Sequence, residues 1–179
     1  KRARHATIFV LASFVNETVA RRIAEVLKRH FHAEHILSIA GESLRYQALK
    51  EAFPHESNYF IVDATGPEIA IALVRNGLLV SVAEQPDGGA GTPAWAKEVR
   101  AAFGGFAERY PLARTLFLIC ESGKEEDAKK SLEGANLGEL WLSEKPPRIV
   151  PVLANHLSGI KDMTGGPADI LIALMTVYW

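Results

Sequence analysis

The sequence has little cysteine and no long apolar run, and these two absences exclude several classes of protein. Cys120 is the only cysteine, so neither an internal disulfide nor a cysteine-rich zinc site can form. The longest apolar runs, residues 69–74 and the interrupted run 168–179, fall short of the roughly 20 residues that a membrane-spanning helix needs. The sequence therefore predicts a protein without a direct membrane span.

An excess of charge of one sign is also missing. The chain has 20 Lys and Arg residues against 21 Asp and Glu, which gives a net charge of −1 and no electrostatic reason to expect nucleic acid as a partner. There is no repeat of fixed period and no low-complexity segment. With 48% hydrophobic and 23% charged residues, the composition is that of a globular domain with a core. Because the chain starts without Met and ends in an apolar run at Trp179, we expect a piece of a longer protein.

The first third of the chain alternates between strand-like and helix-like runs. Residues 7–12 (TIFVLA) and 35–40 (HILSIA) are apolar and predict buried strands. Residues 16–30 place apolar side chains on one helical face behind an asparagine N-cap. Residues 43–53 predict a second helix, which Pro54 ends.

The middle of the chain contains strands without helices between them. Residues 58–65, 68–75 and 78–82 are strand-like, with a break at Gly66-Pro67 and a hairpin signal at Asn76-Gly77. These three runs predict an antiparallel meander. Residues 92–110, 115–120, 124–132, 139–142, 149–159 and 168–178 then predict, in order, a helix, a strand, a helix, a strand and two closing helices. Together the runs predict an α/β fold, in which a mixed sheet of five or six strands carries helices on both faces.

The turn Asp63-Ala64-Thr65-Gly66 and the strand and turn that follow it, up to residue 79, resemble a known motif. They are similar to the second phosphate-binding hairpin of the actin, sugar-kinase and heat-shock-chaperone superfamily. Within it, the nearest types are the division protein FtsA and the pilus-assembly protein PilM. The resemblance implies a ribonuclease-H-like lobe, and we expect residues 1–179 to form one such lobe.

The motif departs from the family's pattern at several positions. Ala64 replaces the family's glycine, and Pro67 removes a backbone N–H that could meet a phosphate. Residues 121–124 (ESGK) stand where a Gly-Gly turn is expected, and the first phosphate hairpin is not in this chain. The resemblance therefore implies a degenerate site. We expect no bound cofactor and no catalysis, with ATP and Mg²⁺ as the ligands if the site works as in an actin-like ATPase.

Two segments hold the candidate residues for nucleotide and phosphate. The first is the turn after residue 62, where a carboxylate could hold a Mg²⁺ water, and the second is the loop PDGGAG before a helix N-terminus. The candidates are Asp63, Thr65, Gly66, Gly88, Gly89 and Gly91. The alternative is that Asp63 and Thr65 cap their turn through their side chains and that the loop is an ordinary connector.

Three other motifs have weaker functional interpretations. The histidines of residues 30–35 (HFHAEH) straddle a helix end, which favours a solvated terminus over a metal site. Ser43 in GESLR resembles a nucleophile elbow, but Arg45 replaces the last glycine, so Ser43 is better explained as an N-cap than as a hydrolase nucleophile. Cys120 in an apolar strand is expected to be a buried hydrophobe.

The resemblance and the degenerate motif lead to one functional hypothesis with two alternatives. The first is a non-catalytic scaffold that binds protein partners of a membrane-associated assembly, such as a type IV pilus or secretion base, in the cytoplasm at the inner face of the membrane. The alternatives are the nucleotide-binding half of an actin-like ATPase and a small serine hydrolase. Self-association of the chain stays open.

Overall fold

A computed structural model of the chain describes residues 12, 14–36, 38–86, 89–141 and 145–157. The chain divides into two compact units, residues 1–41 and residues 42–179. The prediction of one lobe over all 179 residues also concerns positions outside the described ranges, and it stays a prediction.

The second unit is built on one five-stranded sheet. Its strands are β1 (Tyr59–Ala64), β2 (Glu68–Arg75), β3 (Leu78–Pro86), β4 (Thr115–Cys120) and β5 (Arg148–Pro151). Their order is β3-β2-β1-β4-β5, with β1, β2 and β3 antiparallel and β1, β4 and β5 parallel. This is the predicted mixed sheet with an antiparallel meander, and its order is that of the ribonuclease-H-like fold.

Helices cover both faces of the sheet, as the sequence predicts. They are α2 (Gly41–Ala52), α3 (Pro93–Ala107) and α4 (Glu125–Glu133). Alternate strand residues enter two separate cores, because successive side chains of a strand point to opposite faces. One core lies with α3 and α4, and its largest members are Phe60, Trp95, Phe103, Phe106 and Trp141. The other lies with α2 and includes Leu49, Tyr59, Ile61, Phe117 and Ile119.

Local sequence signals explain the best-predicted elements. Asn76 and Gly77 have φ of 49° and 70°, which a two-residue type I′ hairpin requires at both positions. Thr92 caps α3 by accepting a hydrogen bond from the Trp95 backbone N–H at 3.2 Å, and Pro93 takes the first helical position. Because these signals act within a few residues, no distant contact is needed to set them.

The first unit contributes one described helix, α1 (Glu17–Phe31). The predicted cap is confirmed, since Asn16 Oδ1 accepts from the backbone N–H of Thr18 at 2.9 Å. None of its residues is buried, and its apolar positions Val19, Ile23 and Val26 are about half exposed. None of the described helices is long and apolar enough to cross a membrane.

Two predictions in the first third differ from the structure. The described residues of the predicted strand 35–40 are not in a strand. A segment with high strand propensity becomes a strand only where a neighbouring strand pairs with it. The helix predicted at 43–53 begins two residues earlier, at Gly41, so Ser43 lies in its first turn and is not its N-cap. The helix ends before Phe53, because the residue preceding a proline disfavours helical backbone.

Two predictions near the end of the described chain are wrong. Residues 139–141 of the predicted strand 139–142 lie in a 3₁₀ helix, Leu137–Trp141, which brings Leu137 and Trp141 into the core, and residue 142 lies outside the described residues. The helix predicted at 149–159 begins instead as β5 and continues as a short 3₁₀ helix, Ala154–His156. Ile149 and Val150 are β-branched and pair with β4, and Pro151 cannot continue a helix. The predicted strand 7–12, apart from residue 12, and the predicted helix 168–178 lie outside the described residues.

Replacement of Phe60 by alanine tests the core on the α3 face. Phe60 is 0% exposed and contacts the rings of Phe103 and Phe106, with centroids 4.8 and 5.3 Å away. We expect Phe60→Ala to lower the free energy of unfolding by about 3–5 kcal/mol, measured by urea denaturation. Leu78→Ala at a half-exposed position is the control and should cost less than about 1 kcal/mol. Equal losses in the two variants would contradict this core.

Candidate functional site

The candidate segments meet at one edge of the sheet. Asp63 and Ala64 end β1 beside Cys120, which ends β4. Because β2 and β3 run antiparallel, the start of β2 and the end of β3 at Pro86 lie at this same edge. The turn after β1, the loop before α3 and the turn after β4 are thus neighbours along one edge. Ligands commonly bind outside the carboxyl ends of parallel strands.

Asp63 is a buried carboxylate with a partner for each oxygen. It is 2% exposed. Its Oδ1 accepts from the Thr65 backbone N–H at 2.8 Å and from Thr65 Oγ1 at 2.7 Å. Its Oδ2 forms an ion pair with Nε of Arg45 on α2. The structure therefore brings Asp63 and Thr65 together as the side-chain cap of their own turn, which is the alternative that the sequence left open.

Arg45 belongs to this site, although the sequence alone indicated no functional role for it. Its side chain is 16% exposed, and its second contact is from Nη2 to Thr65 Oγ1 at 3.4 Å. Burial lowers the pKa of Arg45, and the nearby Glu42 opposes that shift. An arginine keeps its charge under such conditions. Removal of one partner from a buried ion pair costs about 3–5 kcal/mol, because the other charge is left buried without compensation.

A divalent cation does not fit Asp63 as the structure arranges it. Mg²⁺ needs oxygen ligands with free lone pairs in near-octahedral geometry. Both oxygens of Asp63 already have partners, and the guanidinium of Arg45 places a positive charge beside Oδ2. The described residues also contain no group of three His, Cys, Asp or Glu side chains that could hold a metal ion.

The loop before α3 is packed against α4. Gly89 and Gly91 both have φ of 86°, a conformation that favours glycine. A Cβ on Gly91 would lie 3.4 Å from the backbone of Asp127 and Ala128 in the first turn of α4. Ser131 Oγ of α4 also donates to the Thr92 carbonyl at 3.0 Å. The left-handed backbone therefore explains the glycine at 91, and the loop itself is bonded to α4 through Ser131.

The turn after β4 also has an internal partner. Gly123 has φ of 88°, and its N–H donates to the Glu125 Oε2 at 2.7 Å. Lys124 Nζ pairs with Glu121 Oε2 at 2.5 Å. A carboxylate of the chain thus accepts the backbone N–H that a phosphate could accept in a glycine turn. Sequence reasoning did not identify Glu125, although an acidic residue two positions after a glycine is a local signal for such a bond.

Cys120 lies at the end of β4, beside this turn. Its side chain is buried, and burial together with the nearby carboxylates of Glu125 and Glu121 raises the pKa of the thiol to about 11. A thiol with such a pKa is neutral at pH 7 and a weak nucleophile. Cys120 thus packs as the buried hydrophobe that the sequence predicted.

The remaining candidates have simpler positions. Gly66 does not have a positive φ, and a Cβ there would make ordinary contacts, so no feature of the backbone requires this glycine. Gly88 lies outside the described residues. Ser43 does not lie in the nucleophile elbow that GESLR resembles, because none of the described residues 38–40 before its helix is in a strand. His30 is exposed in the last turn of α1, and His32 forms its left-handed C-cap.

One cavity of the described residues lies away from these candidates. It has a volume of about 510 Å³ and lies between the end of α4, the 3₁₀ helix and β5. Its lining includes Glu133, Asn136, Glu139 and the pair Pro146-Pro147. None of the candidate nucleotide residues lines it.

Comparisons with known proteins give limited information. No family model matches the chain, and no curated protein matches it. A solved structure of the Ppx/GppA phosphatase of Aquifex aeolicus, in its type II variant, is similar over 55% of this chain, with 15% identity and a TM-score of 0.36. The chain covers 38% of that phosphatase chain. The description of the fold therefore depends on the strand order and direction within this chain.

Substitution of Gly91 tests the closed loop. Gly91→Ala should lower the free energy of unfolding by about 1–2 kcal/mol, because the residue has a left-handed φ of 86° that alanine rarely adopts. The matched control is Gly105→Ala, where an added Cβ has no neighbour within 4 Å, so helix propensity should raise stability by about 0.5–1 kcal/mol. Thermal or urea unfolding measures both variants. A neutral Gly91→Ala would contradict the left-handed backbone at this position.

Proposed function

We propose that the chain is a degenerate actin-like domain that acts as a non-catalytic scaffold. The observation that carries this proposal is Asp63, whose two carboxylate oxygens are both engaged by Thr65 and Arg45 of the same chain. In a working phosphate hairpin of the superfamily that this motif resembles, this carboxylate would have to face Mg²⁺ and its water.

The other parts of the edge support the same proposal. The loop at Gly91 is packed on α4, and the Gly123 N–H is bonded to Glu125. Pro67 supplies no N–H. Among the described residues, the Asp63 carboxylate and the Gly123 N–H thus already have partners within the protein, and Pro67 has no N–H to offer a phosphate.

Titration calorimetry with Mg²⁺–ATP tests the proposal on this chain and on the longest natural version of the protein. We expect no binding heat from either, with both folded by circular dichroism. The control for site specificity is Asp63→Asn, which keeps the shape of the side chain and removes its charge. Binding heat that disappears in Asp63→Asn would contradict the non-catalytic proposal.

The second candidate function is the nucleotide-binding half of an actin-like ATPase. One observation favours it, namely that the turn after β1, the loop before α3 and the turn after β4 lie at the same edge of the sheet. In this candidate Asp63 and Thr65 would face Mg²⁺, and the N–H groups of Gly66, Gly88, Gly89 and Gly91 would face phosphate. The same calorimetric titration distinguishes it from the scaffold.

The proposed setting is a cell-envelope assembly, such as a type IV pilus or secretion base, on the cytoplasmic side of the membrane. The support is the resemblance of residues 63–79 to the FtsA and PilM types, together with the internal contacts of Asp63 and the Gly123 N–H described above. In this proposal the chain reaches the membrane through protein partners, without a span of its own and without nucleic acid.

Cross-linking in cells of the source organism tests the proposed setting. We expect the tagged chain to be linked to components of one envelope assembly, and to lose them when that assembly is deleted. A tagged Phe60→Ala variant, with its core disrupted, controls for nonspecific capture. Links only to proteins outside the envelope assemblies would contradict this part of the proposal.

A further inference from the structure

We propose that the guanidinium of Arg45 takes the place of a divalent cation at Asp63, so that one side chain keeps this edge free of metal. This inference deepens the proposed function and rests on it, because it names what closes the degenerate site. It predicts that a neutral side chain at position 45 lets a divalent cation bind at Asp63 and Thr65.

The contacts of Arg45 are those that a bound cation would make. Nε faces Asp63 Oδ2, and Nη2 lies 3.4 Å from Thr65 Oγ1. The two atoms that Arg45 contacts, Asp63 Oδ2 and Thr65 Oγ1, are oxygens, which hard cations such as Mg²⁺ and Mn²⁺ prefer as ligands. The positive charge therefore sits between the same two oxygens that could ligate a metal ion.

Burial makes this charge necessary. The side chain of Asp63 is only 3% exposed, so water can compensate little of its charge. Thr65 supplies two hydrogen bonds to Oδ1 but no charge. Without Arg45, the carboxylate would have to take up a proton, draw in water or bind another cation, and a hard cation is the partner that compensates the charge while the carboxylate stays ionised.

Arg45 is held at this position by the packing of α2. Ala48 and Leu49, three and four residues further along the helix, are 1% and 0% exposed against the sheet. Side chains at this spacing share one helical face. The packed helix therefore holds the guanidinium over the end of β1. A metal ion would displace a mobile surface arginine more easily than one held in this way.

Replacement of Arg45 by glutamine tests the inference with Mn²⁺ as the probe. Electron paramagnetic resonance of free Mn²⁺ should show about one bound ion per chain in Arg45→Gln and none at this site in the unaltered protein. At a Mn²⁺ concentration about 100 times the dissociation constant, the melting temperature of Arg45→Gln should rise by roughly 5–10 °C. The unaltered protein should show no rise.

Three further variants make the result decisive. Arg45→Lys keeps the positive charge and should bind no Mn²⁺. The double variant Arg45→Gln with Asp63→Asn lacks the charged ligand and should lose both the bound ion and the thermal shift. Arg45→Ala, which leaves more room for hydrated metal, should behave as Arg45→Gln does.

Several results would overturn the inference. They are Mn²⁺ binding to the unaltered protein that depends on Asp63, an absence of binding in both neutral variants, and variants that stay unfolded even with excess Mn²⁺. Failure of the proposed function appears separately, as Mg²⁺–ATP binding by the unaltered chain. A scaffold without nucleotide could still hold Asp63 by packing alone, and then the neutral variants would bind no metal.

Discussion

The burial of β1 on both faces is the constraint on which the rest of this structure depends. All six of its residues are buried, and it pairs with β2 on one side and β4 on the other. The strand ends in a carboxylate, and a buried carboxylate needs a compensating charge. Arg45 supplies it from α2, and this fixes α2 to the face of the sheet where Tyr59 and Ile61 point.

The same logic extends along the edge of the sheet. The carboxylate of Asp63 has an internal cation, the Gly123 N–H has an internal carboxylate, and the loop at Gly91 has a helix packed against it. In the proposed scaffold, these internal contacts stand where a nucleotide site would need its own partners.

The elements predicted correctly from the sequence are those with strong local signals. The hairpin at Asn76-Gly77 and the cap at Thr92 need only neighbouring residues. The run at 149–159 was predicted as a helix because short apolar runs have no clear period, and pairing with β4 decides in favour of a strand. Residues 139–141 lie in a 3₁₀ helix instead of a strand, and a contact distant in sequence accompanies it, since the Trp141 Nε1–H donates to the Ala113 carbonyl at 2.7 Å.

The sequence by itself determined the Asn76-Gly77 turn of the meander, the cap of α3 and the turn in which Thr65 bonds to Asp63, because these interactions join residues at most a few positions apart. Only the tertiary structure decided what faces the other oxygen of Asp63. Arg45 shares a helical face with Ala48 and Leu49, which are buried, so the sequence places a charge on a buried face. Such a charge requires an opposite charge nearby, but the spacing does not tell which residue supplies it. The partner lies 18 residues away on a strand, and only the packing of α2 on the sheet brings the two charges together.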